Sequence, residues 1–345
     1  MHGGEINDLY FKASLFSSMP FNSLQPIFDQ IHYKMIDTPI LTVTLNPAID
    51  KSTIVPGLQP ESKLRCTDVL NEPGGGGINV SKALKKLGLT SVALFPSGGH
   101  NGEMLKGLLT EEEIVFIATD TTVETRENWV VLDQDTNNQY RFTFPGRTFE
   151  EQAVKDMIEN IRSFSPEYVV ASGSLPPGLK DYFYGLIVKA ADSVGAKCIV
   201  DTSGPALQAL KGRHVYLIKP NISELCKMLN IEHLENDQVP DAAQQAVRDG
   251  FAEVVVVSMG PDGAWMVTAD KRYFAKAPPV EKKSTVGAGD SMVAGITYML
   301  QQKQPLKQAL NFGVACGSAA TMNDGTQLFN PEDVQRLYEA INLEQ

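Results

Sequence analysis

Ser284-Thr285-Val286-Gly287-Ala288-Gly289-Asp290 is followed by Met292, Val293, Ile296, Met299 and Leu300, apolar residues at helical spacing. The glycines let the chain curl tightly, and the apolar stripe predicts a helix from Ser291 to about Gln301. The turn therefore feeds a helix N-terminus, where unpaired amides and the helix dipole favour an anion. Asp290 falls in the first turn of that helix. Amides that hold developing charge, beside a carboxylate that takes a hydroxyl proton, suit phosphoryl transfer to an alcohol. Taken alone, the same residues also read as a plain loop with an aspartate cap. The rest of the chain has to decide.

Upstream, strands and helices alternate. Ile40–Leu45 is a buried strand that ends in the turn Asn46-Pro47-Ala48-Ile49-Asp50. Glu72-Pro73-Gly74-Gly75-Gly76-Gly77-Ile78-Asn79-Val80 opens a helix that runs to about Leu87. Four consecutive glycines let a ligand lie against bare backbone, and Asn79 stands where it could reach sugar hydroxyls; a flexible linker is the competing reading. Strands at 91–95, 114–118, 168–171, 197–200, 215–218 and 254–257 are separated by helices at about 102–112, 179–194, 205–211 and 240–250. Helices at about 305–322 and 331–342 finish the chain. This order predicts an α/β fold, a doubly wound, mostly parallel sheet with helices on both faces. Polar and glycine-rich turns recur at the strand ends, the edge where such sheets bind ligands.

Short strand-like pieces at 52–55 and 64–70, with a hairpin formed by 129–132 and 139–144, predict a small separate sheet. These lid strands, at about 51–70 and 128–144, would cover the glycine loop. Arg126, just ahead of the hairpin, is a candidate phosphate clamp. Residues 1–34 mix Gly, Ser, Pro and aromatics without periodicity and read as an N-terminal extension, poorly ordered or loosely docked, before a domain over 35–345.

The formal net charge of −11 argues against non-specific binding to nucleic acid or anionic membranes. No run of ~18 apolar residues suggests a membrane span. Cys66, Cys198, Cys226 and Cys316 lack the spacing of a zinc site and are expected to be reduced core thiols of a cytoplasmic protein. Asn221 and Glu224 share one face of a helix start. They could hold Mg2+ beside nucleotide phosphates, but their spacing fits a capping box better. Lys219 would add positive charge near the phosphates.

Taken in order, Asn46–Asp50, Gly74–Asn79, Ser172–Gly178, Lys219–Glu224, Ser258–Gly263 and Thr285–Asp290 resemble the ribokinase-like sugar kinases, and more closely their phosphofructokinase B branch. The likeness runs from about Ile40 to Leu343. The resemblance implies a role for each matching residue. Asp290 would be the catalytic base, with Gly287, Ala288 and Gly289 as the anion hole. Asp50, Gly75, Gly76, Gly77, Asn79 and Ser174 would bind the sugar, with Arg126 and Asn128 near its phosphate. Lys63 and Arg65 would sit in a lid strand that a neighbouring subunit presents, which implies a homodimer through the lid strands. ATP would lie against Lys219, Asn221, Ser258, Gly260, Gly263, Ser284, Thr285, Val286 and Ser318. Asn221 and Glu224 would organise Mg2+. Ser284, Val286, Ala320, Asn323 and Gly325 match positions that bind a monovalent cation such as K+.

The wording Thr44–Asp50 is common in 1-phosphofructokinases and tagatose-6-phosphate kinases. Those enzymes usually carry Lys as the third residue of the glycine block, where this chain has Gly76. The block, with Lys63-Leu64-Arg65-Cys66-Thr67 ahead of it, resembles the minor-type bacterial 6-phosphofructokinases. The expected reaction is ATP-dependent phosphorylation of fructose 6-phosphate to the 1,6-bisphosphate; fructose 1-phosphate or tagatose 6-phosphate is the alternative acceptor. A dinucleotide oxidoreductase fits less well, since no G-x-G-x-x-G follows the first strand with an acidic residue ~20 residues on. A non-catalytic nucleotide-binding module fits less well too, because base, anion turn and metal acid occur together.

Overall fold

The computed structural model describes residues 38–67, 69–323 and 327–343. The chain divides after Thr38 into two units, and the expectation for residues 1–34 lies outside the described residues. In the second unit, nine strands form one sheet: β1 (Ile40–Val43), β4 (Val92–Ser97), β5 (Val115–Asp120), β8 (Tyr168–Ser172), β9 (Lys197–Asp201), β10 (Leu217–Ile218), β11 (Val254–Ser258), β12 (Ala264–Val267) and β13 (Arg272–Ala275). Their order is β13-β12-β11-β10-β9-β8-β1-β4-β5, parallel except for β12 and β13.

Alternation along each strand sends neighbours to opposite faces. Leu41, Val43, Val169, Ala171, Val255 and Val257 face one layer, under helices Glu151–Phe164, Phe183–Ser193, Ile222–Leu229 and Val239–Arg248. Ile40, Val170, Ile199 and Val256 face the other, under helices Gly76–Lys86, Ala288–Gln301, Leu306–Ala320 and Pro331–Leu343. Both faces are covered, so these strands are apolar throughout rather than alternating with polar residues. The fold is α/β with a doubly wound, mostly parallel sheet.

A second sheet has the order β3-β2-β6-β7, from β3 (Leu70–Gly74), β2 (Ala48–Val55), β6 (Arg126–Asp133) and β7 (Asn138–Thr143). The strand expected at 64–70 is displaced: residues 63–67 are irregular, and the strand is Leu70–Gly74. β3 is an edge strand, where Pro73 is tolerated. Lys63 and Arg65 consequently lie in an exposed irregular segment and not in a lid strand. Cys66 is exposed in the same segment, unlike the three buried cysteines. Two further elements were not anticipated. Ala153, Val154, Met157 and Ile161 mark the buried stripe of the Glu151–Phe164 helix. The β12–β13 hairpin extends the large sheet in antiparallel sense.

Candidate active site

The ends of successive parallel strands build the site's floor. β1 leads into Thr44, β8 ends at Ser172, β9 at Asp201, β10 leads into Lys219, and β11 ends at Ser258. Two helices start over this floor. Gly287, left-handed at φ 71°, caps the Ala288–Gln301 helix and places Asp290 in its first turn. First-turn amides have no intrahelical partner, and the Ala288 amide reaches only the Thr285 carbonyl, at 3.5 Å.

The glycine block enters the second helix, Gly76–Lys86. Its glycines serve close packing as much as ligand access. A methyl group at Gly76 would overlap the Ser172 hydroxyl and approach the Gly173 amide, and one at Gly77 would meet Thr44 and Val43. The Thr44 hydroxyl accepts from the Ile78 amide at 2.9 Å, fixing the block on the end of β1. Gly75 and Gly76 keep partial exposure toward the cleft, whereas Gly74 and Gly77 are buried.

The two helices meet at Asp290. Asn79 Nδ2 donates to Asp290 Oδ2 at 2.9 Å, and Ser172 Oγ donates to Oδ1 at 3.2 Å. Burial raises the Asp290 pKa to about 6 and the Asp201 carboxylate adds to the rise; the Asn79 and Ser172 bonds and Lys219 oppose it. Asn79 Oδ1 is buried without a hydrogen-bond partner among the described residues. An orphaned acceptor beside the Asp290 carboxylate fits a ligand hydroxyl.

Lys219 Nζ pairs with Asp201 Oδ1 at 3.2 Å. Burial works against the ammonium, but Asp201, followed by Asp290 and Glu224, more than offsets it and holds the Lys219 pKa above its ordinary value. A methyl added at Gly289 would stand 3.3 Å from Nζ, so the cation lies beside the Gly287–Asp290 turn. Asp201 and Ser172 had no assigned role in the sequence reading. The one signal for Asp201 was its position at a strand end.

Asn221 and Glu224 form the capping box: Glu224 N donates to Asn221 Oδ1 and Asn221 N to Glu224 Oε2, each at 2.9 Å. Burial, then nearby Asp201, raises the Glu224 pKa. The box engages only one carboxylate oxygen of Glu224. No group of three or more His, Cys, Asp or Glu residues spaced as a metal cage occurs among the described residues. These donors therefore fit Mg2+ shared with phosphate oxygens and water, not a closed protein site. A backbone bridge joins Asn221 to Ser258. A methyl at Gly263 would overlap the Ala275 carbonyl, whereas Gly260 borders open space. The segment around Ser284 lies on the end of the Leu306–Ala320 helix: the Lys283 and Ser284 amides donate to the Thr321 carbonyl at 2.8 and 3.2 Å. Val286 N donates to Ser284 Oγ at 3.2 Å, and Asn323 Nδ2 to the Ala319 carbonyl at 3.1 Å. The 284–286 segment and Asn323 are thus both tied to the C-terminal end of the Leu306–Ala320 helix, and the Asn323 amide donates to the Ala320 carbonyl at 3.3 Å; Gly325 lies outside the described residues. Close packing of Gly317 on the Ala288 carbonyl sets Ser318 near the start of the Ala288–Gln301 helix, and Thr285 is exposed beside it.

A second cluster spans the base of the small sheet. Parallel pairing of β2 with β6 puts Asp50 opposite Asn128 and Ala48 opposite Arg126. Asn128 Nδ2 donates to Asp50 Oδ1 at 2.8 Å, while burial raises the Asp50 pKa despite that bond. Asn46 Nδ2 donates to Ser174 Oγ at 3.2 Å. Arg126 Nε and Nη2 both donate to the Asn46 carbonyl at 3.2 Å, and Nη1 donates to Asn128 Oδ1 at 3.1 Å and the Phe144 carbonyl at 3.0 Å. Burial lowers the Arg126 pKa, opposed by Asp50. Neither Lys63 nor Arg65 is hydrogen-bonded to these residues among the described residues; both are exposed.

Comparison with known proteins identifies a family for the chain. The family described as pfkB family carbohydrate kinase matches residues 42–333. The ATP-dependent 6-phosphofructokinase isozyme 2 of Escherichia coli (strain K12) is 44% identical over 301 residues, covering 87% of this chain and 97% of that protein. The crystal structure of Escherichia coli phosphofructokinase-2 in complex with potassium superposes with a TM-score of 0.85 at 42% identity, covering 88% of this chain and 99% of that one. The 1-phosphofructokinase of Bacillus subtilis (strain 168) is 33% identical over 305 residues, covering 88% of this chain and 99% of that protein.

Proposed function

The chain belongs to the pfkB family of carbohydrate kinases, and from that premise we propose that it transfers the γ-phosphoryl group of ATP to the 1-hydroxyl of fructose 6-phosphate. One observation carries the reading: a carboxylate with a pKa raised to about 6 stands in the first turn after Gly287, aimed by Asn79 and Ser172. Such a group is ionised at pH 7 yet more basic than an ordinary aspartate. Asp290 takes the hydroxyl proton as the sugar oxygen bonds to phosphorus. The bond to the β-phosphate oxygen breaks, and its electron pair leaves with ADP. Lys219 and the amides of the 287–290 turn hold negative charge on the moving group. Asn79 Oδ1 accepts from a sugar hydroxyl, and Asp50, Asn128 and Ser174 fix the acceptor.

Glu224, through its unspent oxygen, and Asn221 are the residues that would hold Mg2+; bound there, the ion screens the phosphate charge. Ser284, Val286, Ala320 and Asn323 would hold K+, a reading supported by the potassium complex of the related phosphofructokinase-2. A second copy is proposed to pair through the small sheet, where β7 is exposed along its whole length and Tyr140, Phe142 and Phe144 are 40 to 46% exposed. Sedimentation at micromolar concentration tests this; a monomer contradicts it.

The acceptor is tested by an ADP-coupled assay over fructose 6-phosphate, fructose 1-phosphate and tagatose 6-phosphate, with and without K+. The highest kcat/KM is expected for fructose 6-phosphate, in line with the greater identity to the 6-phosphofructokinase. Preference for fructose 1-phosphate or tagatose 6-phosphate establishes the second reading, which the Thr44–Asp50 wording favours. ATP binding without transfer to any of the three contradicts both.

A further inference from the structure

Every backbone polar group of Gly173 is engaged. β8 ends at Ser172, and Gly173 follows at φ 118°, in the left-handed region that favours glycine. Its amide donates to the Asp201 carbonyl at 2.9 Å, one residue beyond the last strand position of β8. Its carbonyl accepts twice, from the Tyr184 hydroxyl at 2.6 Å and from the Thr202 hydroxyl at 2.9 Å. A carbonyl oxygen has two lone pairs, and both are taken.

Tyr184 reaches this carbonyl from the helix layer. It begins the Phe183–Ser193 helix one residue in, and its side chain is fully buried in the core under the sheet. A buried hydroxyl costs stability unless it finds a partner. Burial also pushes the phenol pKa upward, so the group stays a neutral donor. A phenylalanine would fill the same space and lack the one atom that is spent on Gly173.

The residues on either side of Gly173 belong to the site. Ser172 Oγ donates to Asp290 Oδ1 at 3.2 Å, and Ser174 Oγ accepts from Asn46 Nδ2 at 3.2 Å. The peptide between them also packs on the glycine block, since a methyl on Gly173 would stand 3.4 Å from the Gly76 amide. We infer that Tyr184 is a positioning residue: acting through the Gly173 carbonyl, and together with Thr202, its hydroxyl holds Ser172 against Asp290 and Ser174 toward the acceptor. The inference rests on the kinase reading above. It adds to that site a donor from beneath the sheet, outside every glycine and aspartate motif.

Two measurements keep the failures of the two readings apart. Turnover of fructose 6-phosphate by the unaltered chain tests the kinase reading. The positioning role is read without turnover, from the carboxyl carbon-13 shift of Asp290 followed against pH in the unliganded chain. The Ser172 bond lowers the Asp290 pKa, so loosening that bond moves the midpoint up. Outright loss of a hydrogen bond to a charged group is worth ~1 pH unit, and Tyr184→Phe, which only loosens it, should raise the midpoint by about 0.5. Asp201 and Lys219, the charged groups that face Asp290, are unaltered in every variant. Thr202→Val removes the second donor and should move the midpoint the same way, while Thr202→Ser should leave it in place. Val188→Ala, a core truncation on the same helix, should lower the melting temperature without moving the midpoint. In a Ser172→Ala background, Tyr184→Phe should add no further rise. A midpoint unmoved in both Tyr184→Phe and Thr202→Val overturns the proposal. So does an equal rise in Val188→Ala, which makes the effect one of stability, or a full rise from Tyr184→Phe when Ser172 is already absent.

Discussion

Asn79 Nδ2 donates to Asp290 Oδ2 across 2.9 Å, joining residues 211 positions apart at the starts of two different helices. The bond puts the glycine block and the 287–290 turn on one cleft. It spends only half of the Asn79 amide, leaving Oδ1 buried without a hydrogen-bond partner among the described residues.

Activity should follow the ionisation of Asp290. Its pKa, raised by burial and by Asp201 to about 6, predicts that kcat/KM falls about tenfold per pH unit well below pH 6 and levels off above 7. Asp290→Asn should lower kcat by ~10²–10⁴, the range for loss of a general base. A pH–rate profile flat between 5 and 8, or an active Asn variant, removes Asp290 from the role.

The same residue should weaken the fold. The Asp290 pKa is above its ordinary 3.8, so between that value and about 6 the native state keeps a proton that the unfolded chain has released. Stability therefore falls as pH rises through this window and stays lowered above it. A rise from 3.8 to about 6 corresponds to ~3 kcal/mol as an order-of-magnitude ceiling. Asp290→Asn should melt higher than the unaltered chain at pH 8 and lose that advantage by pH 4. A lower melting temperature at pH 8 contradicts the burial account.

Removing Lys219 should act in the opposite direction. Lys219→Met leaves Asp201 beside Asp290 without its cation. Breaking one side of a buried pair typically destabilises by about 3–5 kcal/mol, and KM for ATP should rise as well. Thermal melts and nucleotide titrations read the two effects. Unchanged stability shows that the pair contributes nothing to the fold.

Glu224 separates its two roles by substitution. Glu224→Gln keeps an oxygen to accept from the Asn221 amide, so the capping box and melting temperature should persist while the Mg2+ concentration for half-maximal activity rises. Asn221→Ala should instead lower stability by ~1 kcal/mol through loss of the cap. An unaltered Mg2+ requirement in Glu224→Gln assigns the carboxylate to capping alone.

Gly76→Ala tests packing at the floor. Its methyl group would press on Ser172 and the Gly173 amide, displacing the hydroxyl that aims Asp290 Oδ1. A fall in kcat exceeding the change in stability is expected, with pH–rate midpoint shifted upward as a bond to the carboxylate weakens. A variant with unaltered kcat shows that Ser172 does not aim the base.

Much of this was legible because parallel strands covered on both faces leave apolar runs, and because glycine turns mark strand ends. Asp290, Asn79, Lys219 and Glu224 all stand next to such turns. The placement of β3 was not legible, since Pro73 is a breaker in a central strand and admissible only at an edge. Asp201 was hidden because its meaning lies in Lys219, which reaches it from the next strand. The engagement of Arg126 depends on the Asn46 and Phe144 carbonyls brought together at the base of the small sheet, and backbone geometry leaves no mark on residue type.

A single-turnover assay with γ-labelled ATP and fructose 6-phosphate tests the central claim most directly. The account predicts label at carbon 1 of the sugar, one equivalent per site, with transfer slowed ~10²–10⁴-fold in Asp290→Asn. Labelled inorganic phosphate with unlabelled sugar, or equal transfer by the Asn variant, contradicts it.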